Sequence, residues 1–283
     1  MVKTLACTLI FLFIYAFFAG CSSKDVAANA TPEERFAHAK ALFEGRDFLE
    51  AMNEFTVITL QYQGSGVAAD AQFYLGECRF AREEYLLAAF EYGVLKRNYP
   101  ASPRVPDGQL KLAMSYYELS PRPALDQQYT KKAIDEFQSF VEYYPANQKA
   151  VEADAKIREL LTRLAKKQYE TARLYTTMDY FKAAIASFDV VIEKYHDTEY
   201  APLAYLDKAE LLMSRRKYRE ASAEVENFLS RYPNSVLRGR GDSLKAAIEK
   251  VLHSGGETEA RDSAGIERAD QRVTPPTGAG GEK

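Results

Sequence analysis

The chain has 283 residues, of which 47% are hydrophobic and 27% charged, a composition typical of soluble globular proteins with a sizeable core. Its formal net charge of −3 argues against a general affinity for nucleic acid or for anionic membrane surfaces, because there is no basic excess to displace counterions. Length alone allows one or two domains.

The first 20 residues differ from the rest of the chain. Lys3 is their only charged residue, and residues 5–18 are almost wholly apolar. A run of this length is short for a bilayer whose hydrocarbon is ~30 Å thick, but it fits the apolar region of a signal peptide. We therefore predict a signal peptide over residues 1–20; the alternative is an uncleaved anchor helix.

A cysteine follows this segment directly. The run Phe18-Ala19-Gly20-Cys21 resembles the lipobox of bacterial lipoproteins, in which the cysteine is diacylated and becomes the new N-terminus. Ala19 and Gly20 are the small residues that the cleaving peptidase needs, whereas Phe18 departs from the leucine that the family prefers. The resemblance implies a lipidated Cys21, permanently attached because acyl chains contribute about 0.8 kcal/mol per buried methylene. Ser22 stands where aspartate retains enterobacterial lipoproteins in the inner membrane, which implies export to the outer membrane.

The alternative is that Cys21 is a coincidental cysteine in an apolar segment. The other two cysteines fit the lipobox interpretation. Cys7 would leave with the signal peptide, so Cys78 would be the single free thiol and no internal disulfide could form. Cys78 aligns with Ala41, Leu174 and Leu211 in the repeat described next. We therefore predict that Cys78 is packed rather than reactive.

The body of the chain carries a repeat with helical spacing. Five alanines mark its copies and serve here as anchors: Ala51, Ala88, Ala133, Ala184 and Ala221. A tyrosine stands eleven residues after each anchor: Tyr62, Tyr99, Tyr144, Tyr195 and Tyr232. Mostly aromatic or apolar residues recur at positions −3, +4 and +7 from the anchor, and all these offsets share one helical face. We predict that the ten anchors and tyrosines pack the repeats together rather than bind a ligand.

A second set of helices precedes the anchored ones. A small residue lies twelve positions before the anchor in four copies, as paired helices that cross closely require. In the third copy the equivalent Ala113 is displaced by residues 120–127, an insertion that lengthens the turn between the paired helices. Residues 148–167 extend the first helix of the fourth copy.

The pattern resembles the tetratricopeptide repeat, with Tyr74-Leu75-Gly76, Ala88 and Tyr92 standing at signature positions. We predict an all-α solenoid of five tetratricopeptide-like helix pairs with a C-terminal helix. It would occupy residues 32–253, after a lipidated flexible tether at 21–31. Residues 254–283 contain almost no large apolar side chain, so we predict a disordered tail.

No catalytic, cofactor or metal site is predicted. The three histidines, His38, His196 and His253, are widely separated, and none has a partner at metal-ligand spacing. The sequence lacks a nucleophile elbow, a phosphate-binding loop and a dinucleotide fingerprint. The pair Glu83-Glu84 is interpreted as a solvated helix face. A repeat protein without such a site acts by binding, and stacked helix pairs offer a groove for an extended or helical peptide.

The arrangement as a whole resembles the BamD family of lipoproteins of the β-barrel assembly machinery. The more specific parts are residues 126–145 and 155–165, together with the insertion in repeat three and the long helix opening repeat four. The resemblance implies a non-enzymatic scaffold facing the periplasm. Its N-terminal repeats would receive unfolded outer-membrane protein clients, and its C-terminal repeats would dock on a BamA-like barrel insertase. Family members can carry an arginine that pairs with the insertase where this chain has Ser187.

Two related classes remain as alternatives. One is a periplasmic repeat protein of the Tol or cell-division type, which usually has fewer repeats, an N-terminal coiled coil and no lipobox. The other is a pilotin-like lipoprotein of secretin assembly, built from the same repeat. An enzyme or sugar-binding lipoprotein would need a polar constellation that the sequence lacks.

Overall fold

The computed structural model describes residues 29–253, and this range contains eleven α-helices and no strand. The signal peptide, Cys21, most of the tether and the tail predicted above lie outside the described residues. In chain order the helices are α1 (Pro32–Glu44), α2 (Phe48–Gln61), α3 (Ala68–Ala81), α4 (Tyr85–Asn98), α5 (Val105–Glu118), α6 (Gln128–Tyr143), α7 (Ala150–Thr177), α8 (Phe181–Lys194), α9 (Tyr200–Ser214), α10 (Tyr218–Arg231) and α11 (Arg238–His253).

The helices form five consecutive pairs, from α1–α2 to α9–α10, and α11 follows as a C-terminal helix. This confirms the predicted fold class. The insertion at 120–127 lies between α5 and α6, and the charged stretch before repeat four is part of the 28-residue α7, both as predicted. None of the helices within residues 29–253 combines the length and the apolar character needed to cross a membrane.

In four of the five repeats, the turn that joins the two helices has the same backbone geometry. The residue five positions before the anchor has a positive φ in these repeats; the residues are Arg46, Glu83, Asp179 and Arg216. The next residue then donates its N–H to the carbonyl five positions earlier, as Asp47 does to Leu42 at 2.9 Å. This is the Schellman arrangement, which satisfies the carbonyls left open at the end of a helix. Glycine is the residue that adopts this conformation without strain, yet none of the four positions has one.

The third repeat replaces this turn with the insertion, and the side chain of Gln127 organises it. Gln127 is buried, and its amide donates to the carbonyls of Arg122 (2.9 Å) and Leu125 (3.0 Å). Its side-chain oxygen accepts from the hydroxyl of Thr130, at the start of α6. The loop therefore satisfies its own polar groups.

The second helix of every pair ends at its repeat tyrosine. In all five copies the tyrosine N–H donates to the carbonyl of the residue at +7, for example Tyr62 to Ile58 at 2.9 Å. The tyrosine carbonyl then accepts from the backbone three residues later, as from Ser65. His196 follows Tyr195 in such a turn.

The described chain divides into two compact units, the first ending at Gly108 and the second beginning at Gln109, within α5. The core of the first unit joins α1 to α3 through Ala39, Ala51, Phe55 and Cys78, all fully buried. Cys78 is thus packed, as predicted, and burial raises the pKa of its thiol to about 12.

The core of the second unit consists of successive clusters. One is formed by α5, α6 and α7 around Phe137 and Leu160, and the next by α7 to α10 around Phe188 and Leu206. All four of these side chains are buried at 1% exposure or less. A third cluster joins α9, α10 and α11 around Ile248.

Two glycines mark places where neighbouring helices touch. A Cβ on Gly76 in α3 would lie 2.6 Å from the ring of the buried Tyr92 in α4. In the second unit, a Cβ on Gly241 in α11 would lie equally close to the ring of Phe228. At both places an aromatic ring occupies the space that a side chain would need, so the helices approach closely only because glycine is there.

Candidate functional site

The structure contains a polar contact that recurs inside the helix pairs. It joins a residue on the first helix, sixteen positions before the anchor, to the glutamate three positions after the anchor on the second helix. In repeat three the eight inserted residues are left out of this count. The pairs are Arg35 with Glu54 at 2.7 Å, Gln72 with Glu91 at 2.8 Å, and Gln109 with Glu136 at 2.5 Å. Each glutamine also donates to the backbone carbonyl of its glutamate. We call these three contacts the inter-helix polar links; they fix the rotation of one helix against its partner.

The links are absent from the last two repeats, and a lysine takes their place. At +3, repeat four has Ser187, which is 93% buried, and repeat five has Glu224. Lys208 of α9 binds Glu224 at 2.6 Å and Asp189 of α8 at 2.5 Å. Although burial disfavours its charge, these hydrogen bonds raise the pKa of Lys208 above its ordinary value. Because Ser187 is buried against the paired helix, a charged docking contact in this region would have to come from its exposed neighbours.

The first unit carries an aromatic and basic cluster, formed by rings of α2 and α3 and by Arg104 in the turn before α5. Tyr74 stacks on Phe55 with the ring centroids 5.7 Å apart. The guanidinium of Arg104 lies over the ring of Phe73 at 5.3 Å and over that of Tyr74 at 5.8 Å. Arg104 also pairs with Asp70, and this hydrogen bond raises its pKa. An aromatic surface beside a held cation suits an extended peptide, because rings and guanidinium contact apolar side chains and backbone carbonyls alike.

The first helices of the second unit carry two charged networks. In the first network, the hydroxyl of Tyr117 in α5 lies 2.8 Å from the carboxylate of Glu159 in α7. The ammonium of Lys156 lies 4.0 Å from the Tyr117 ring centroid, and Arg163 binds Glu159 at 3.1 Å. Arg163 also donates to the carbonyl of Ser120, so the network connects α7 to the insertion.

The second network crosses three helices. The hydroxyl of Tyr169 in α7 donates to Asp207 in α9 at 2.6 Å, and burial together with this contact raises the pKa of Tyr169. Arg240 of α11 binds Asp207 at 2.7 Å and Glu210 at 2.8 Å. Half of the Glu210 side chain remains exposed. These residues present fixed charges that a polar protein partner could meet.

The outward face of the second helices also differs between the units. In α4, Leu86, Leu87 and Phe90 are 52%, 47% and 59% exposed. The equivalent positions in repeat three are Lys131, Lys132 and Asp135, and those in repeats four and five are charged residues or alanine. Repeat one has one large apolar residue at these positions, Leu49, which is equivalent to Leu86 and is 56% exposed.

The predicted site residues occupy equivalent places in every repeat. All five anchor alanines have 0% exposure. The five tyrosines are partly buried at the ends of their helices. Burial raises the pKa of Tyr99 and of Tyr195, and the hydroxyl of Tyr232 donates to the carbonyl of His196 in the preceding repeat. Cys21 lies outside the described residues.

One prediction about charged residues is wrong. Glu83 and Glu84 do not form a helix face but lie in the turn between α3 and α4, with Glu83 in the left-handed conformation. Glu84 binds Arg79 at 2.7 Å and Arg82 at 2.8 Å, and these hydrogen bonds lower its pKa. In the part of the chain that the structure covers, no group of histidine, cysteine or carboxylate side chains is arranged to hold a metal ion.

Comparison with known families identifies the chain. A family model described as YfiO, outer membrane lipoprotein, matches residues 28–217. The chain belongs to this family. The match starts before α1 and ends at the turn before α10, so it covers the helices of the first unit and those of the second unit up to α9.

Two curated relatives are similar over most of their length. The outer membrane protein assembly factor BamD of Rickettsia prowazekii is 26% identical over 221 residues, which cover 76% of this chain and 87% of the relative. The protein of the same name from Caulobacter vibrioides is 24% identical over 204 residues, covering 70% and 67%. Among solved structures, the TPR2AB-domain:pHSP90 complex of yeast Sti1 is 15% identical, covers 85% of this chain and 96% of that chain, and has a TM-score of 0.40.

Proposed function

We propose that the protein is a non-enzymatic scaffold lipoprotein that takes part in the assembly of β-barrel proteins in the outer membrane. Membership of the outer membrane lipoprotein family is the observation that carries this proposal. The two relatives named as outer membrane protein assembly factors support it. The helix pairs support a binding role, because they display fixed aromatic and charged side chains on their first helices.

The anchor is the first part of the proposal. Cys21 would carry the acyl chains, hold the protein in the outer membrane and leave the helical repeats in the periplasm. In fractionated cells, we expect Cys21→Ala to appear in the soluble or inner-membrane fraction. Cys78→Ala is the matched control, since it removes the buried thiol and leaves the anchor in place. Unchanged outer-membrane recovery of Cys21→Ala would contradict the anchor.

The second part concerns partners. We assign client segments to the aromatic cluster around Tyr74 and Arg104 in the first unit, where rings and a cation offer sequence-tolerant contacts. The charged network around Arg240 and Glu210 in the second unit is assigned to the barrel insertase, since rim charges set orientation and association rate. Effective concentration favours both contacts when all partners are confined to one membrane.

Co-purification tests the partner assignment. We expect the detergent-extracted protein to carry a BamA-like insertase with it. Glu210→Lys should lower this recovery several-fold, because it reverses an exposed charge of the network. Glu249→Lys is the matched control on α11, an exposed carboxylate in a simple surface pair with Lys245. Recovery of a secretin or of Tol proteins, with no insertase, would overturn the proposal in favour of the alternative lipoprotein classes.

A further inference from the structure

The second helix of repeat two carries an apolar face that the fold does not use. Within α4 the buried face consists of Ala88, Ala89, Tyr92 and Leu95. Leu86, Leu87 and Phe90 lie on the opposite side, each about half exposed. Single exposed apolar residues need no explanation, but three adjacent large ones in a soluble domain mark a contact surface.

The charges of α4 are arranged around this face. Its single carboxylate, Glu91, is turned toward α3, where it accepts from Gln72. Basic residues occupy the last turn, and the guanidinium of Arg97 lies back along the helix, 3.2 Å from where a Cβ of Gly93 would be. Leu86, Phe90, Gly93 and Arg97 thus form one stripe that is apolar at its start and cationic at its end. We call it, with Leu87, the α4 stripe.

This composition matches an interfacial contact with lipid. Helices that lie at a membrane surface combine leucine and phenylalanine on one side with arginine or lysine that reaches the headgroups. The contact does not need a basic protein, because the apolar side chains supply the attraction. A net charge of −3 is therefore compatible with it.

The position of the stripe in the chain favours lipid over a protein occupant. Residues 22–30 separate Cys21 from Thr31, the N-cap of α1, and nine residues reach at most about 30 Å. The stripe belongs to the first unit, which residues 22–30 lead into. Three successive helix contacts separate α1 from α4, and the axes of helices in contact are about 10 Å apart. The charged second helices of repeats three to five belong to the other unit.

We propose that the α4 stripe rests on the inner leaflet of the membrane to which Cys21 is anchored. This inference rests on the proposed lipid anchor and goes beyond it, because an anchor alone would leave the first unit free to tumble. Contact through α4 would fix which side of the first unit faces the bilayer. The aromatic cluster around Tyr74, in the same unit, would then be held at a defined orientation to the membrane.

Fluorescence quenching tests the contact. The lipidated mature protein is reconstituted into vesicles of phosphatidylethanolamine and phosphatidylglycerol that carry a lipid-borne quencher. Phe90→Cys receives an environment-sensitive fluorophore, and Ala223→Cys, exposed at the same register position in repeat five, is the matched control. Cys78 stays unlabelled because it is buried and its pKa is raised to about 12. We expect the lipid quencher to act several-fold more strongly at position 90 than at 223.

Further outcomes separate the explanations. Leu86→Glu with Leu87→Glu should reduce quenching at position 90 to the level at 223, while the protein still floats with the vesicles. Equal weak quenching at both positions in floating protein would overturn the stripe contact and leave the anchor intact. Protection from aqueous iodide without quenching by lipid would assign the stripe to a second copy of the chain. Failure to float would defeat both the anchor and the contact that depends on it.

Discussion

The first unit, up to Gly108, and the second, from Gln109, are built from the same helix pair but differ in the chemistry of their surfaces. In the first unit the outward second helix α4 bears Leu86, Leu87 and Phe90, and the first helix α3 bears aromatic rings that contact Arg104. In the second unit the corresponding faces are charged, and networks of ion pairs connect the first helices. One backbone repeat can thus present an apolar side to one environment and a charged side to another.

The interior contacts also change along the chain, between repeats three and four. Repeats one to three hold their helix pairs with a single polar link each, from Arg35, Gln72 or Gln109. Repeats four and five rely on Lys208, which joins two helices through two carboxylates. The change from polar links to a shared lysine therefore falls within the second unit, which contains the link of Gln109 as well as the ion pairs of Lys208.

Removing the buried lysine gives the largest expected effect. Lys208→Met would leave Asp189 and Glu224 without their cation, and we expect the free energy of unfolding to fall by about 3 kcal/mol. Urea denaturation followed by circular dichroism measures it. Lys182→Met, at an exposed position on α8, is the control and should change stability by less than about 0.5 kcal/mol. Equal effects of the two variants would show that the second unit does not depend on this charge.

Filling a close helix contact of the first unit comes next. In Gly76→Ala the new methyl would lie 2.6 Å from the buried ring of Tyr92, and we expect a loss of about 2 kcal/mol from forced repacking. Gly93→Ala, in the same pair of helices, is the control. Its methyl would meet only the flexible end of Arg97, so that variant should be neutral or gain about 0.5 kcal/mol of stability. A neutral Gly76→Ala would show that the helices of this pair can move apart.

The turn shared by both units predicts a smaller, stabilising change. Arg216 has a φ of 59°, and Arg216→Gly should raise the free energy of unfolding by about 0.5–1 kcal/mol because glycine adopts this conformation without strain. Lys182→Gly, inside helix α8, should instead lower it by about 1 kcal/mol. If both glycines destabilised the protein, the left-handed turn would not be a site of strain.

The smallest predicted effect is a change in pH dependence. Hydrogen bonds from Arg79 and Arg82 hold the pKa of Glu84 below its ordinary value. Such a carboxyl stabilises the fold above its unfolded pKa and loses that contribution as pH falls through its folded pKa. We therefore expect Glu84→Gln to lose less stability than the wild type between pH ~5 and ~3, measured as the urea midpoint. Identical curves for the variant and the wild type would contradict the prediction.

Much of the fold could be predicted because helical packing imposes a period on the sequence. The anchors, the insertion before α6, the long α7 and the burial of Cys78 all follow from apolar residues in register. The polar links were missed although their glutamates, Glu54, Glu91 and Glu136, recur at +3, a position that Glu224 takes in repeat five. Polar residues that recur at helical spacing usually indicate a solvent-exposed face. The partners of these glutamates lie on the other helix of the pair, so the spacing within one helix does not reveal them.

The turns and the outward surfaces were harder to predict for physical reasons. A left-handed residue is normally signalled by glycine or asparagine, and Arg46, Glu83 and Arg216 give no such signal. In the same way, Leu86, Leu87 and Phe90 look like core residues, and only the position of the buried face shows that they are exposed. The composition of a helix does not reveal which of its two apolar sides faces the core.

The Gln127 loop has a consequence for how such a chain can change over time. Because this one buried amide satisfies the carbonyls around it, eight extra residues fit between α5 and α6 while Ala133 and Phe137 keep their places in the core. The loop meets the rest of its unit at a few polar contacts, among them Arg163 with Ser120 and Lys167 with Leu125. Length can therefore be gained or lost at this point without shifting the register of the helices on either side. A change of loop length here would alter the surface of the second unit while the repeats around it stay in place.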